Sequence, residues 1–109
     1  MKIENVKFNS INWNLIEKIS YAGEQGQAFW KTIEQGTIRI RMVEYTAGYI
    51  ADHWCHRGHV VLVLEGELIT ELKDGRKFHL LPGMSYQVST DVDPHRSSTV
   101  LGAKIFIVD

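Results

Sequence analysis

Residues 48–66 read GYIADHWCHRGHVVLVLEG and hold three of the chain's five histidines and its only cysteine: His53, Cys55, His56 and His59. Strand-like segments flank these donors. Residues 37–46, TIRIRMVEYT, alternate before them, and the apolar run 59–64 follows until Gly66 stops it. Metal-type side chains packed between two strand patterns mark a candidate site rather than an ordinary surface loop. Side chains alternate faces along a strand, so His53 and Cys55 are expected to project one way and His56 the other. Neighbours at i and i+2 stand ~6.6 Å apart at the strand rise of about 3.3 Å per residue. Side chains of that length converge on one ion at bonds of about 2.0–2.3 Å. His59 shares the parity but would lie ~13 Å from Cys55 on a straight strand. It joins only if the chain reverses, and Arg57-Gly58 is the expected place, because glycine tolerates positive φ.

Composition bounds the rest. At 109 residues the chain is expected to form one domain with a core of its own. Twelve basic and 13 acidic residues leave a formal charge of −1 with no basic run, which argues against nucleic acid as a partner. One cysteine excludes an internal disulfide and fits a reducing compartment. No apolar run approaches the ~20 residues of a membrane span, and the opening MKIE does not begin a signal peptide. A soluble, cytoplasmic protein is the expectation, with no membrane partner.

Residues 1–35 carry a weak pattern. Ser10 is expected to cap a short helical turn over residues 11–19, with Trp13 and Ile16 facing inward, and residues 21–27 to form a loop. Residues 28–33 read as a strand. From Thr37, alternation puts Ile38, Ile40 and Met42 on one face and Arg39, Arg41 and Val43 on the other. Two arginines on one face favour a solvated face; the other reading is an arginine lining a pocket for an acidic ligand. Asp74-Gly75 between two strand patterns is the strongest hairpin signal. Residues 77–81 form its return strand, Pro82-Gly83 breaks it, residues 85–88 are strand-like, and residues 103–108 read as a buried strand. About eight short strands without a long helix indicate an all-β sandwich or barrel.

These residues resemble the cupin family, whose fold is a double-stranded β-helix or jelly roll. Its first motif runs from a glycine through His-x-His and a glutamate to a second glycine. Here Gly48, His53, Cys55, His59 and Gly66 occupy the pattern over about residues 48–66. Cysteine replaces the second histidine, and histidine replaces the glutamate. Gly75, Pro82-Gly83 and His95 resemble the second motif, about residues 75–99, with Thr99 in place of the usual asparagine. Asp52-His53-Trp54-Cys55 is similar to the string that labels the DHCW-motif subgroup. The resemblance implies a cupin-type jelly roll with an irregular N-terminal segment and a metal site on His53, Cys55, His59 and His95. It also implies a homodimer, with residues 1–35 a reasonable place for the contact.

Three imidazoles and one thiol suit a divalent transition metal such as zinc, iron or nickel and disfavour magnesium and manganese. Asp52 is expected at a turn or orienting an imidazole, Tyr86 in the core or the pocket wall, and Arg41, where not solvated, in the pocket wall. Exposed His56, structural or solvated His79, packed Trp54 and surface Arg96 are the readings of the neighbouring residues. Three functions stay open: a metal-dependent enzyme of dioxygenase or isomerase type acting on a small molecule, a non-catalytic binding or sensing module, and a structural zinc site. The fold is too widely reused to choose among them.

Overall fold

The computed structural model describes residues 2–109. Nine strands follow a 3-10 turn at Trp13–Leu15: β1 (Ile19–Ala22), β2 (Gln27–Gln35), β3 (Ile38–Tyr45), β4 (His59–Gly66), β5 (Leu68–Leu72), β6 (Lys77–Leu80), β7 (Ser85–Val88), β8 (His95–Ser98) and β9 (Ala103–Val108). Among the described residues there is no α-helix, and no helix is long and apolar enough to cross a membrane. The strands form a six-stranded sheet in the order β1-β2-β3-β9-β4-β7 and a three-stranded sheet in the order β6-β5-β8. Every named pairing is antiparallel. This is an all-β jelly roll.

Period-two alternation decides which side of each strand is buried. In β9, Ala103, Ile105 and Ile107 are buried while their neighbours are half-exposed. In β4, His59, Val61 and Val63 alternate with exposed Val60, Leu62 and Leu64. Val43, Val61, Val63, Leu68, Leu80, Ala103, Ile105 and Ile107 form one apolar cluster between the sheets. Each large aliphatic member contributes about 1.5–3 kcal/mol by leaving water. A β-bulge between Val63 and Glu65 shifts the register of β4 against β9, and pairing resumes at Glu65↔Lys104 and Gly66↔Ala103. Gly66 follows with φ 74°, and a Cβ there would stand 2.0 Å from the Gly102 carbonyl oxygen, so only glycine fits.

The N-terminal segment departs from expectation. The turn at Trp13–Leu15 is capped by Asn12, whose side chain accepts from the Asn14 N–H, and Ser10 caps no helix. Part of the expected loop is strand β1, paired with β2 from Ile19↔Trp30 to Ala22↔Gln27. Residues 2–13 reach the outer face of the large sheet. Glu4 N–H donates to Thr37 Oγ1 at 3.0 Å, Lys31 Nζ donates to the Trp13 carbonyl at 2.9 Å, and the Trp13 ring meets Phe106 edge-on at 6.2 Å. Ile38, Ile40 and Phe106 share a groove there with Ile3, Val6 and Ile11. The apolar face of β3 is therefore the outer one. Its arginine face points inward with Val43, which reverses the solvated-face expectation for Arg41, buried at 5% exposure.

Candidate metal centre

Three backbone devices hold the site. Residues 51–58 are stitched to β8: Cys55 N–H donates to the His95 carbonyl at 2.7 Å, and His95 N–H returns to the Cys55 carbonyl at 3.0 Å. The chain then turns into β4, placing His59 at its first position opposite Val88 of β7. Gly58 makes this turn by close approach rather than by positive φ. A Cβ there would meet the Thr90 nitrogen at 2.6 Å, and the Gly58 N–H donates to Thr90 Oγ1 at 3.1 Å.

Cys55, His59 and His95 converge, each offering one ligand atom, and these atoms lie within 4.8 Å of one another. His59 Nε2 stands 2.9 Å from His95 Nε2. The opposite nitrogen of each ring is engaged: His59 Nδ1 faces Asp109 Oδ2 at 3.4 Å, and His95 Nδ1 faces the Asp93 carbonyl at 2.9 Å. Both partners accept, so each Nδ1 is the donor there, and in its neutral form each ring turns the Nε2 lone pair toward the shared space. That is the tautomer a metal-ligating histidine needs, fixed by the carboxylate or carbonyl partner usual for one. A 2.9 Å separation of the lone-pair nitrogens can be bridged by one ion at metal–nitrogen bonds of about 2.0–2.1 Å. The donor set therefore fits a borderline transition metal. Tyr86, half-buried on β7, places its hydroxyl 3.2 Å from His59 Nε2.

The local field favours the ligating form at Cys55 and His59, while His95 favours the charged ring until an ion displaces its proton. Burial pushes the Cys55 thiol up, but the neighbouring His95 ring, the Arg57 backbone amide and the charge of Arg41 outweigh it and bring the thiol below its ordinary value. Burial pushes His59 down; Asp109 opposes that and the charge of His95 adds to it. His95 is held above its ordinary value despite burial, through Cys55 and the Asp93 carbonyl. Thiolate character at Cys55 and a neutral His59 are the forms that ligate metal.

The structure does not bring His53 into this cluster. Residues 51–54 form a bend instead of the extended strand that would put His53 and Cys55 on one face. The His53 side chain is 66% exposed, with Nδ1 2.7 Å from Asp52 Oδ1. Asp52 thus faces an imidazole, that of His53 at the cavity rim. His56 and His79 lie outside the centre, on the exterior beside Asp91 and Glu67. Trp54 is half-buried beneath the cations of Lys73 and Arg96, at 5.0 and 4.8 Å from its ring centroid. Arg96 also pairs with Glu71 at 2.9 Å.

Asp109 was not signalled by the sequence. Directly after β9, its carboxylate accepts from Arg39 Nε at 2.9 Å, Arg39 Nη2 at 3.1 Å and Arg41 Nη2 at 2.9 Å. Arg57 Nε lies 3.5 Å away. Burial pushes this carboxyl up, but His59 and the two guanidiniums of Arg39 and Arg41 hold it well below the usual carboxylate range. A cavity of about 340 Å³ adjoins the centre, and its wall includes Arg39, Arg41, His53, Cys55, His59 and His95. A second cavity of about 370 Å³ lies on the other side of Tyr86 and His95, with a more apolar wall that includes Leu72, Phe78 and Met84.

Solved structures share this jelly-roll fold, among them a protein described as a cupin. A sugar phosphate isomerase of the cupin superfamily from Silicibacter pomeroyi superposes with a TM-score of 0.72 at 17% identity, over 92% of this chain and 74% of that one. Ectoine synthase from P. lautus gives 0.74 at 16% identity, over 93% and 76%. The Fe(II) form of HppE gives 0.75 at 16% identity, over 98% of this chain and 62% of that one. At these identities the likeness is one of fold. No family model matches the sequence, and no curated protein matches it.

Proposed function

We propose that this chain is a small cupin of the DHCW-motif type that holds one divalent transition metal ion, zinc, iron or nickel, on Cys55, His59 and His95. It binds a small molecule in the adjoining cavity and transforms it, as an isomerase or oxygenase does. The observation that carries this reading is the pair of Nε2 atoms 2.9 Å apart, each ring held by an acceptor on its opposite nitrogen, with the Cys55 sulfur beside them. A bound ion would supply Lewis acidity and an open coordination position. Three protein donors beside a cavity favour an open site over a closed four-ligand structural one. His53, at the rim, is placed to meet an entering molecule. The isomerase and the Fe(II) protein that share the fold support small-molecule chemistry on this scaffold.

The working form proposed is a cytoplasmic homodimer. Its support is the exposed strand β1 at the edge of the large sheet, with Ile19 and Tyr21 exposed on it.

Loading metal-free protein with Zn(II), Fe(II) or Ni(II) and measuring bound metal after dialysis tests the function. One equivalent retained by the wild type and lost in His95→Ala supports it; a wild type that retains none overturns it.

A further inference from the structure

The metal reading accounts for Cys55, His59 and His95 but leaves the arginines of the same cavity unused. Arg39, Arg41 and Arg57 all face the single carboxylate of Asp109. Its Oδ2 alone is approached by Arg39 Nη2 at 3.1 Å, Arg41 Nη2 at 2.9 Å, Arg57 Nε at 3.5 Å and His59 Nδ1 at 3.4 Å. One carboxylate oxygen has lone pairs for about two good hydrogen bonds. Donors therefore outnumber acceptors, and three positive charges face one negative charge.

The surplus is sharpest at Arg41. Its Nη2 is taken by Asp109, but its Nε is fully buried and has no hydrogen-bond partner. The side chain is 6% exposed and lies in the cavity wall. A buried guanidinium N–H without an acceptor leaves this cation under-satisfied, so a further anion on its cavity-facing edge is favourable. The Trp30 ring lies 4.5 Å from the Arg41 guanidinium carbon and holds that group in place.

We propose that the cavity beside Cys55, His59 and His95 takes a small-molecule carboxylate, which pairs with the Arg41 guanidinium where it lines the wall. A planar carboxylate suits a guanidinium edge, as Asp109 already demonstrates on Arg39 with contacts of 2.9 and 3.1 Å. Asp109 Oδ2 touches both Arg41 and His59, so a carboxylate on Arg41 lies one residue away from the donor cluster. That this carboxylate belongs to the substrate rests on the function proposed above; that Arg41 binds it does not.

The test uses metal-free wild-type protein and follows the Arg41 Nε–H cross-peak by NMR, assigned by its loss in Arg41→Lys. Acetate and benzoate should shift the peak saturably, while acetamide and benzamide should leave it in place. By calorimetry, Arg41→Lys should bind benzoate about tenfold more weakly or worse, because ammonium cannot reproduce the planar guanidinium edge. The inference is overturned if amides and carboxylates act alike, or if only inorganic phosphate binds. It is also overturned if benzoate binds only after Zn(II) loading and equally well in Arg41→Lys, which puts the anion on the ion instead. Those results leave the metal reading intact, whereas a wild type that retains no metal defeats that reading and leaves the NMR result standing.

Discussion

Arg41 Nη2 meets Asp109 Oδ2 at 2.9 Å with side chains only 6% and 1% exposed, and this pair ties the second residue of β3's inward face to the residue after β9. Removing the charge of Asp109 leaves a buried guanidinium uncompensated. Asp109→Asn should lower stability by about 3 kcal/mol in chemical denaturation. The pH dependence has a definite sign. The folded carboxyl titrates below its ordinary value, so its contribution is complete above an unfolded value of about 3.9 and is lost as pH falls below it. The wild type should lose stability more steeply than Asp109→Asn below about pH 4. Parallel curves would show that the pair does not supply this stability.

Residue 66 offers a backbone test. Gly66→Ala combines a left-handed φ of 74° with a Cβ 2.0 Å from the Gly102 carbonyl oxygen. A loss of about 2 kcal/mol or more is expected, against near-zero change for Val100→Ala, which is exposed. Equal effects would mean that the bulge tolerates a side chain.

In the core, Ile105→Ala should cost about 2–5 kcal/mol, because Ile105 is 1% exposed within the central cluster. An unchanged denaturation midpoint would place the stabilising core elsewhere.

The exposed N-terminal edge predicts self-association. Light scattering should give twice the chain mass, and charged substitutions at Ile19 and Tyr21, both exposed on the edge strand β1, should reduce it to one. A wild type of single-chain mass contradicts the dimer.

Strand content was legible because alternation and the Asp74-Gly75 turn are local signals. Which face of β3 is buried was not. Parity separates Arg39, Arg41 and Val43 from Ile38, Ile40 and Met42 but cannot say which set points inward when both sides are covered. Residues 2–13 cover the outer side, so the isoleucines shelter there while the arginines line the interior. Asp109 was invisible because its role arises only when β3, β4 and β9 lie side by side. Spacing pointed to Cys55 and His59, and the family resemblance added His95, whereas the position of His53 depended on a bend that neither encodes.

The central claim is that one ion sits on Cys55, His59 and His95, and metal content after reconstitution tests it most directly. Elemental analysis should find one equivalent in the wild type and in His53→Ala, and under about a tenth of that in Cys55→Ala and His95→Ala, since removing one of three donors weakens a site severely. A full equivalent in Cys55→Ala and His95→Ala, or none in the wild type, would contradict it.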